Sequence, residues 1–379
     1  VCTQAFYGAH VGSQWYNFDL IYSADSGYLV HQDVYRNVGA EQNDLRQPLF
    51  GLFAMPFALL PWLLSRLLFF LPNGYLILWQ ILQMLLFLVA VVLVSRMMEL
   101  RGAEKALFLT MSSVTWPVLI FVLTAEQYLI AVFYLILLLY LGQEERRKKL
   151  SFIAATGCLL TSGVWFPAVT WNRDFKKFVR NTLALCGMFW MVVVISGRLT
   201  TFLDLPTYIA GYAPYTGASV PPLSKLRQFV NFAGACLIVP PSGADFASYN
   251  HVSWQMLPVT GWSPAGLAVL ILAAAGLAAG WREGFFRRCG LWIAFGFLML
   301  GIVGWGTVDN GLMLYTLYFG WAFLALIFRL ADRTLSRVRP VKLAVLTGMI
   351  LALAVLNIYG LREVLVFATR FYPTLGGIS

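Results

Sequence analysis

An all-α, polytopic bundle of about eight to ten membrane-crossing helices is what the sequence predicts, and three observations lead there. The chain of 379 residues is 60% hydrophobic and only 12% charged, against about 25% charged in an ordinary soluble domain, with a mean hydropathy of +0.74. Apolar runs of about 20 residues, the length a bilayer core requires, recur along it. Finally, 27 Lys and Arg outnumber 17 Asp and Glu for a net charge of +10, and the surplus sits beside apolar runs. That placement is the asymmetry that orients membrane proteins, and it argues against nucleic acid as a partner.

Residues 1–74 read as an external first loop with interfacial helices, and 75–379 as the transmembrane domain. Within the first part, 48–72 is apolar but interrupted by Pro56 and Pro61, which points to juxtamembrane helices at the outer interface. Spans follow over 75–96, 106–124, 126–142, 182–201, 262–281, 290–307, 312–330 and 343–361. Segment 151–170 carries basic clusters on both flanks, which fits a re-entrant or paired half-helix better than a crossing. Segment 202–261 mixes prolines with Tyr208, Tyr212, Tyr215 and Tyr249, and reads as an ordered external lid.

Basic clusters fall at Arg96, Arg101 and Lys105, at Arg146 to Lys149, at Arg282, Arg287 and Arg288, and from Arg329 through Arg333, Arg337 and Arg339 to Lys342. Alternating spans put all of them on one side, the cytoplasm. Because the first residue is Val1, a further spanning helix is expected upstream. The five cysteines show no metal-ligand spacing, and only Cys2 and Cys236 are placed to meet on the outer side.

The densest acidic run, Asp19, Asp25, Asp33, Glu41 and Asp44, lies directly ahead of the apolar tract. Asp25 and Asp33 are eight apart, close to one face of a helix. These carboxylates are either solvated loop residues or include a general base at the mouth of a membrane cavity. His31 and His251 are isolated and read as hydrogen-bonded loop residues.

Several motifs resemble the GT-C class of membrane glycosyltransferases. They are Asp25 in "ADSGYL", the run "RQPLFGLFAMPFALLPW", the span closing at "SRMMELRG", Glu126 in "LTAEQYLIAVFYLILLLYL", and "GTVDNGLMLYTLYFGWAF" with Asp309 and Tyr315. The likeness covers residues 16–142 and continues beyond them in layout. It implies a polyprenyl-phosphate sugar donor, an acceptor that is a glycan, lipid or protein, surrounding membrane lipids, transfer with inversion at the outer face of a bacterial-type plasma membrane, and no metal cofactor. Asp25 would then be the general base, with Asp33 or Asp19 orienting the acceptor or replacing it. Arg46, Lys225 and Arg227 would hold the departing phosphate, ahead of the other external bases Arg36, Arg66, Arg362 and Arg370, with Glu126, Tyr315 and Asp309 in support. The chain departs from the class at Gln47, where a cation is expected, and in lacking an acidic pair in the first loop.

Two other readings stay open from the residues alone. Outward acids over a helical bundle also suit a lipid or sugar transporter, and Gln47 suits a non-catalytic scaffold.

Overall fold

The computed structural model describes residues 21–22, 50–70, 74–122, 124, 128–143, 175–195, 203–211, 213–246, 252–308 and 311–376. Among them the expected all-α architecture holds, with one small hairpin added. Helices α1 (Phe50–Leu67), α2 (Gly74–Met97), α3 (Gly102–Ser113), α4 (Trp116–Phe121), α5 (Tyr128–Gln143) and α6 (Phe175–Ile195) come first. Then follow α7 (Leu205–Gly211), α8 (Pro222–Ala235), the antiparallel strands β1 (Ser242–Phe246) and β2 (Val252–Met256), α9 (Pro264–Gly280), α10 (Gly284–Gly296), α11 (Thr316–Leu335) and α12 (Arg339–Gly376).

Among the described residues four helical stretches are long and apolar enough to cross a membrane: Gly74–Met97, Gly284–Val303, Gly311–Leu335 and Arg339–Arg370. The protein is a membrane protein. Three further apolar helices, Phe53–Leu67, Tyr128–Gly142 and Pro264–Gly280, are shorter. Where the sequence points to one span over 106–124, the chain instead breaks after Ser113 and restarts at Trp116, because Thr115 is extended (φ −68°, ψ 147°) and Pro117 opens the new helix. Where Pro56 and Pro61 point to broken pieces, α1 runs through both. Its Phe53 and Phe57 pack edge-on against Tyr134 and Phe133 of α5, at ring separations of 5.7 and 6.0 Å, which stabilises the turns that lack a proline N–H.

Helix α11 is the axis of the bundle: every residue from Thr316 to Phe328 is buried. Trp292 of α10 stacks on Phe319 at 4.9 Å and donates its indole N–H to the Tyr318 carbonyl at 2.7 Å. Helix α9 reaches α11 through small residues. A methyl group on Gly276 would run into the Leu326 carbonyl, and one on Gly266 into the Val230 carbonyl of α8, so both backbones approach as closely as glycine allows. Ser263 caps α9 by accepting from the Gly266 N–H at 3.1 Å.

Two polar ends are separated by the length of α11, 20 residues or about 30 Å, which matches a bilayer core. At one end Arg329 pairs with Glu283 and with Asp332 (2.8 Å), while Lys342 pairs with Glu104 (2.6 Å) and Asp332 (3.1 Å). Three of the sequence's basic clusters thus converge on this basic end. The opposite end, hereafter the far end, carries the start of α11, the end of α10, the hairpin and α8. Helix α8 is not only a covering layer, although it lies in the segment read as a lid. Residues Gln228 to Leu237 are all buried across the far ends of α9, α10 and α11.

One side chain joins the irregular pieces. Asn357 of α12, fully buried, donates to the Val114 carbonyl at 2.8 Å and the Leu237 carbonyl at 2.7 Å and accepts from the Val239 N–H at 2.8 Å.

Three outcomes are expected in thermal unfolding of the purified protein. Gly276→Ala lowers the midpoint by roughly 5 °C or more because α9 and α11 must separate. Gly348→Ala, on α12 with open space around it, leaves the midpoint unchanged or slightly raised. Asn357→Ala costs roughly 3 kcal/mol, since the Val114 carbonyl and the Val239 N–H lose their partner; an unshifted midpoint would mean that another group satisfies them.

Candidate functional site

The far end is built from the residues that follow α10. The last turns of that helix, Phe297–Val303, widen into a π-helix, a geometry enriched at functional sites. The chain then reverses through Gly304 (φ +87°) and Gly306 (φ +74°) into the turn before α11. Thr307 donates to the Gly304 carbonyl at 2.6 Å and closes the turn. Gly217 (φ +62°) lies against this turn so closely that any side chain would strike Thr307 and the Gly304 carbonyl.

Helix α8 places Lys225 and Gln228 on the same turn. The Lys225 ammonium donates to the Val303 carbonyl at 2.9 Å, and its methylenes cover Gly304. Gln228, 6% exposed, donates through Nε2 to the Thr307 carbonyl at 3.2 Å, while its Oε1 is buried without a partner among the described residues. On the other side Tyr315 accepts from the Trp305 indole N–H at 2.8 Å, and its ring lies against Gly306. The structure therefore brings together Lys225 and Tyr315, two of the sequence candidates, through one glycine turn.

Arg227 is separated from them. It is two residues from Lys225 and so points about 200° away around the helix. Its Nη1 donates to the Thr260 carbonyl at 3.3 Å, the guanidinium lies 5.9 Å from the centre of the Trp262 ring, and Nε is buried with no partner among the described residues. Beneath it an apolar groove of about 420 Å³ opens between α9 and α10, from Leu226 and Trp262 at the far end to Leu277 and Gly290, with Phe323 and Leu326 of α11 as its floor. Of the remaining cations, Arg66 stacks over Trp62 at 5.2 Å on α1, and Arg362 and Arg370 are exposed on α12.

Asp19, Asp25, Asp33, Arg36, Arg46, Glu126 and Asp309 lie outside the described residues, as does Cys2. Cys236 is a free thiol in the buried core. The chain beside Asp19 and Asp25 is nevertheless anchored. Ile21 bridges to Trp254 of β2, the Tyr22 N–H donates to the Trp254 carbonyl at 2.8 Å, and the Tyr22 hydroxyl donates to Ser242 Oγ at 2.8 Å. Tyr22 is 1% exposed, edge-on to Trp116 at 6.2 Å. Trp254 packs on Phe367 of α12 at 5.4 Å. Sequence reasoning missed Tyr22, Gln228 and Trp305; only the density of glycine around "GWGTVDNG" hinted at the turn. Among the described residues no cluster of His, Cys, Asp and Glu is placed to hold a metal ion.

Burial pushes the Tyr22 phenol from 10.0 up to about 12, with Ser242 pulling it partly back. The folded state thus keeps a proton that the unfolded chain releases, so this contribution to stability is complete below about pH 10 and drains away as the pH rises toward about 12. Tyr22→Phe is expected to flatten the decline in thermal stability across that alkaline window; an unchanged slope would mean that Tyr22 is not buried as described. The chain matches no family model, and neither curated proteins nor solved structures provide a match.

Proposed function

We propose that the protein is a multi-pass membrane glycosyltransferase of the GT-C kind, moving a sugar from a polyprenyl-phosphate donor onto an acceptor hydroxyl or amine at its far, extracytoplasmic end. The acceptor atom forms its bond to the anomeric carbon as the bond from that carbon to the phosphate oxygen breaks, with inversion. The acceptor proton passes to a carboxylate, Asp25 first, with Asp33 or Asp19 in its place, and the electron pair leaves on the phosphate. Lys225 meets that phosphate with the ammonium protons not used on the Val303 carbonyl. The isoprenoid chain lies in the surrounding bilayer, and the basic end faces the cytoplasm.

The observation that carries this reading is the docking of Tyr22. Because Tyr22 bonds to Ser242 and Trp254, the acidic stretch is tied to the buried frame at the end where Lys225, Trp305 and Tyr315 gather. Asp19 and Asp25 are each three residues from Tyr22 in sequence, a reach of at most about 10 Å, which supports assigning the base to this end.

The test uses purified protein in lipid nanodiscs and a panel of radiolabelled polyprenyl-phosphate sugars, following release of the sugar. Wild type is expected to consume one donor. Asp25→Asn should lower turnover by about a hundredfold or more while donor binding persists, and Lys225→Ala should weaken donor binding. A wild-type protein that consumes no donor, or full activity in Asp25→Asn, Asp33→Asn and Asp19→Asn alike, would overturn the proposal.

A further inference from the structure

We infer that the groove between α9 and α10 holds one acyl chain of an anionic glycerophospholipid, with the lipid phosphate bound by Arg227. This site is separate from the one used above and does not depend on the glycosyltransferase reading.

Three features carry the inference. The first is charge at the mouth. Arg227 Nε is buried without a partner among the described residues and Nη1 is spent on a backbone carbonyl, so among these residues a forked cation lacks the anion its geometry suits. Trp262 lies beneath it, 46% exposed, where an indole marks the boundary between headgroups and hydrocarbon.

Length is the second. Along α9 the lining runs from Leu270 to Leu277, about 10 Å of helix, which fits inside the roughly 15 Å that one leaflet contributes to a bilayer core about 30 Å thick.

The third is volume and lining. The groove encloses about 420 Å³, room for roughly fourteen methylene-sized units at ~30 Å³ each, the space one water molecule takes in the liquid. That suits a single acyl chain reaching the midplane and is too small for a long polyprenyl chain. The walls are apolar, and small residues at Ala273, Ala274, Gly290 and Ala294 leave the space open. Flanking side chains such as Leu267, Ile271 and Ile302 are exposed, so a chain enters sideways from the lipid.

Protein released from nanodiscs of equal phosphatidylglycerol and phosphatidylcholine is examined by native mass spectrometry for retained lipid. Wild type should keep one lipid, phosphatidylglycerol over phosphatidylcholine by about tenfold. Arg227→Gln should retain both equally, and Ala294→Phe, which fills the groove, should retain neither. Thermal unfolding of the same variants confirms folding, and Arg227→Gln alone suffices should Ala294→Phe not fold. Equal retention of the two lipids by wild type, or an undiminished preference in Arg227→Gln, would overturn the inference. So would displacement of the retained lipid by a stoichiometric polyprenyl phosphate, which would assign the groove to the donor.

Discussion

Hydrocarbon offers no hydrogen bonds, so a chain that leaves regular helix inside a membrane protein must satisfy its freed backbone groups with its own side chains. Asn357 meets that constraint here. The break between α3 and α4 frees the Val114 carbonyl, and the end of α8 frees the Leu237 carbonyl and the Val239 N–H. One amide serves all of these, while the Trp116 N–H also bonds the Leu237 carbonyl at 3.1 Å. The hairpin grows directly from this knot. Through Ser242 and Trp254 it holds Tyr22, so the position of that tyrosine depends on an asparagine more than three hundred residues away in sequence.

The same sparing use of side-chain volume produces both the tightest and the loosest parts of the bundle. Gly266 and Gly276 let α9 lie against α8 and α11 with no side chain between them. On the adjoining face Ala273 and Ala274 meet Gly290 and Ala294 of α10, and the helices, already fixed by the close contacts, do not move in to fill the gap. The groove is therefore a by-product of where the glycines place α9. A rigid cavity in a membrane protein is filled by what surrounds it, which is lipid.

Much of this was legible from sequence where hydropathy alone decides. The apolar runs 75–96 and 343–361 predict spans and lie within α2 and α12, because long apolar runs have no alternative to a helix. The break at 114–115 was not legible: its compensation comes from Asn357, 243 positions from Val114. Helix α8 was hidden by the prolines around it, which signal a loop locally although Pro221 and Pro222 here begin a helix. Lys225 and Arg227 look like one basic patch in the sequence, yet a helix sends side chains two apart to opposite sides. Gln228 carried no signal, since the Thr307 carbonyl that fixes it lies 79 residues on.

The π-helical turns Phe297–Val303 decide which way the chain after them faces. A wide turn of this kind stores one surplus residue, and one residue rotates everything downstream by about 100° around the axis. Without it the apolar length of α10 would hardly change, but Trp305 and Thr307 would emerge on another side, away from Tyr315 and Gln228. A single surplus residue in an otherwise ordinary membrane helix is thus enough to set the polar face of this one while the scaffold beneath it stays the same.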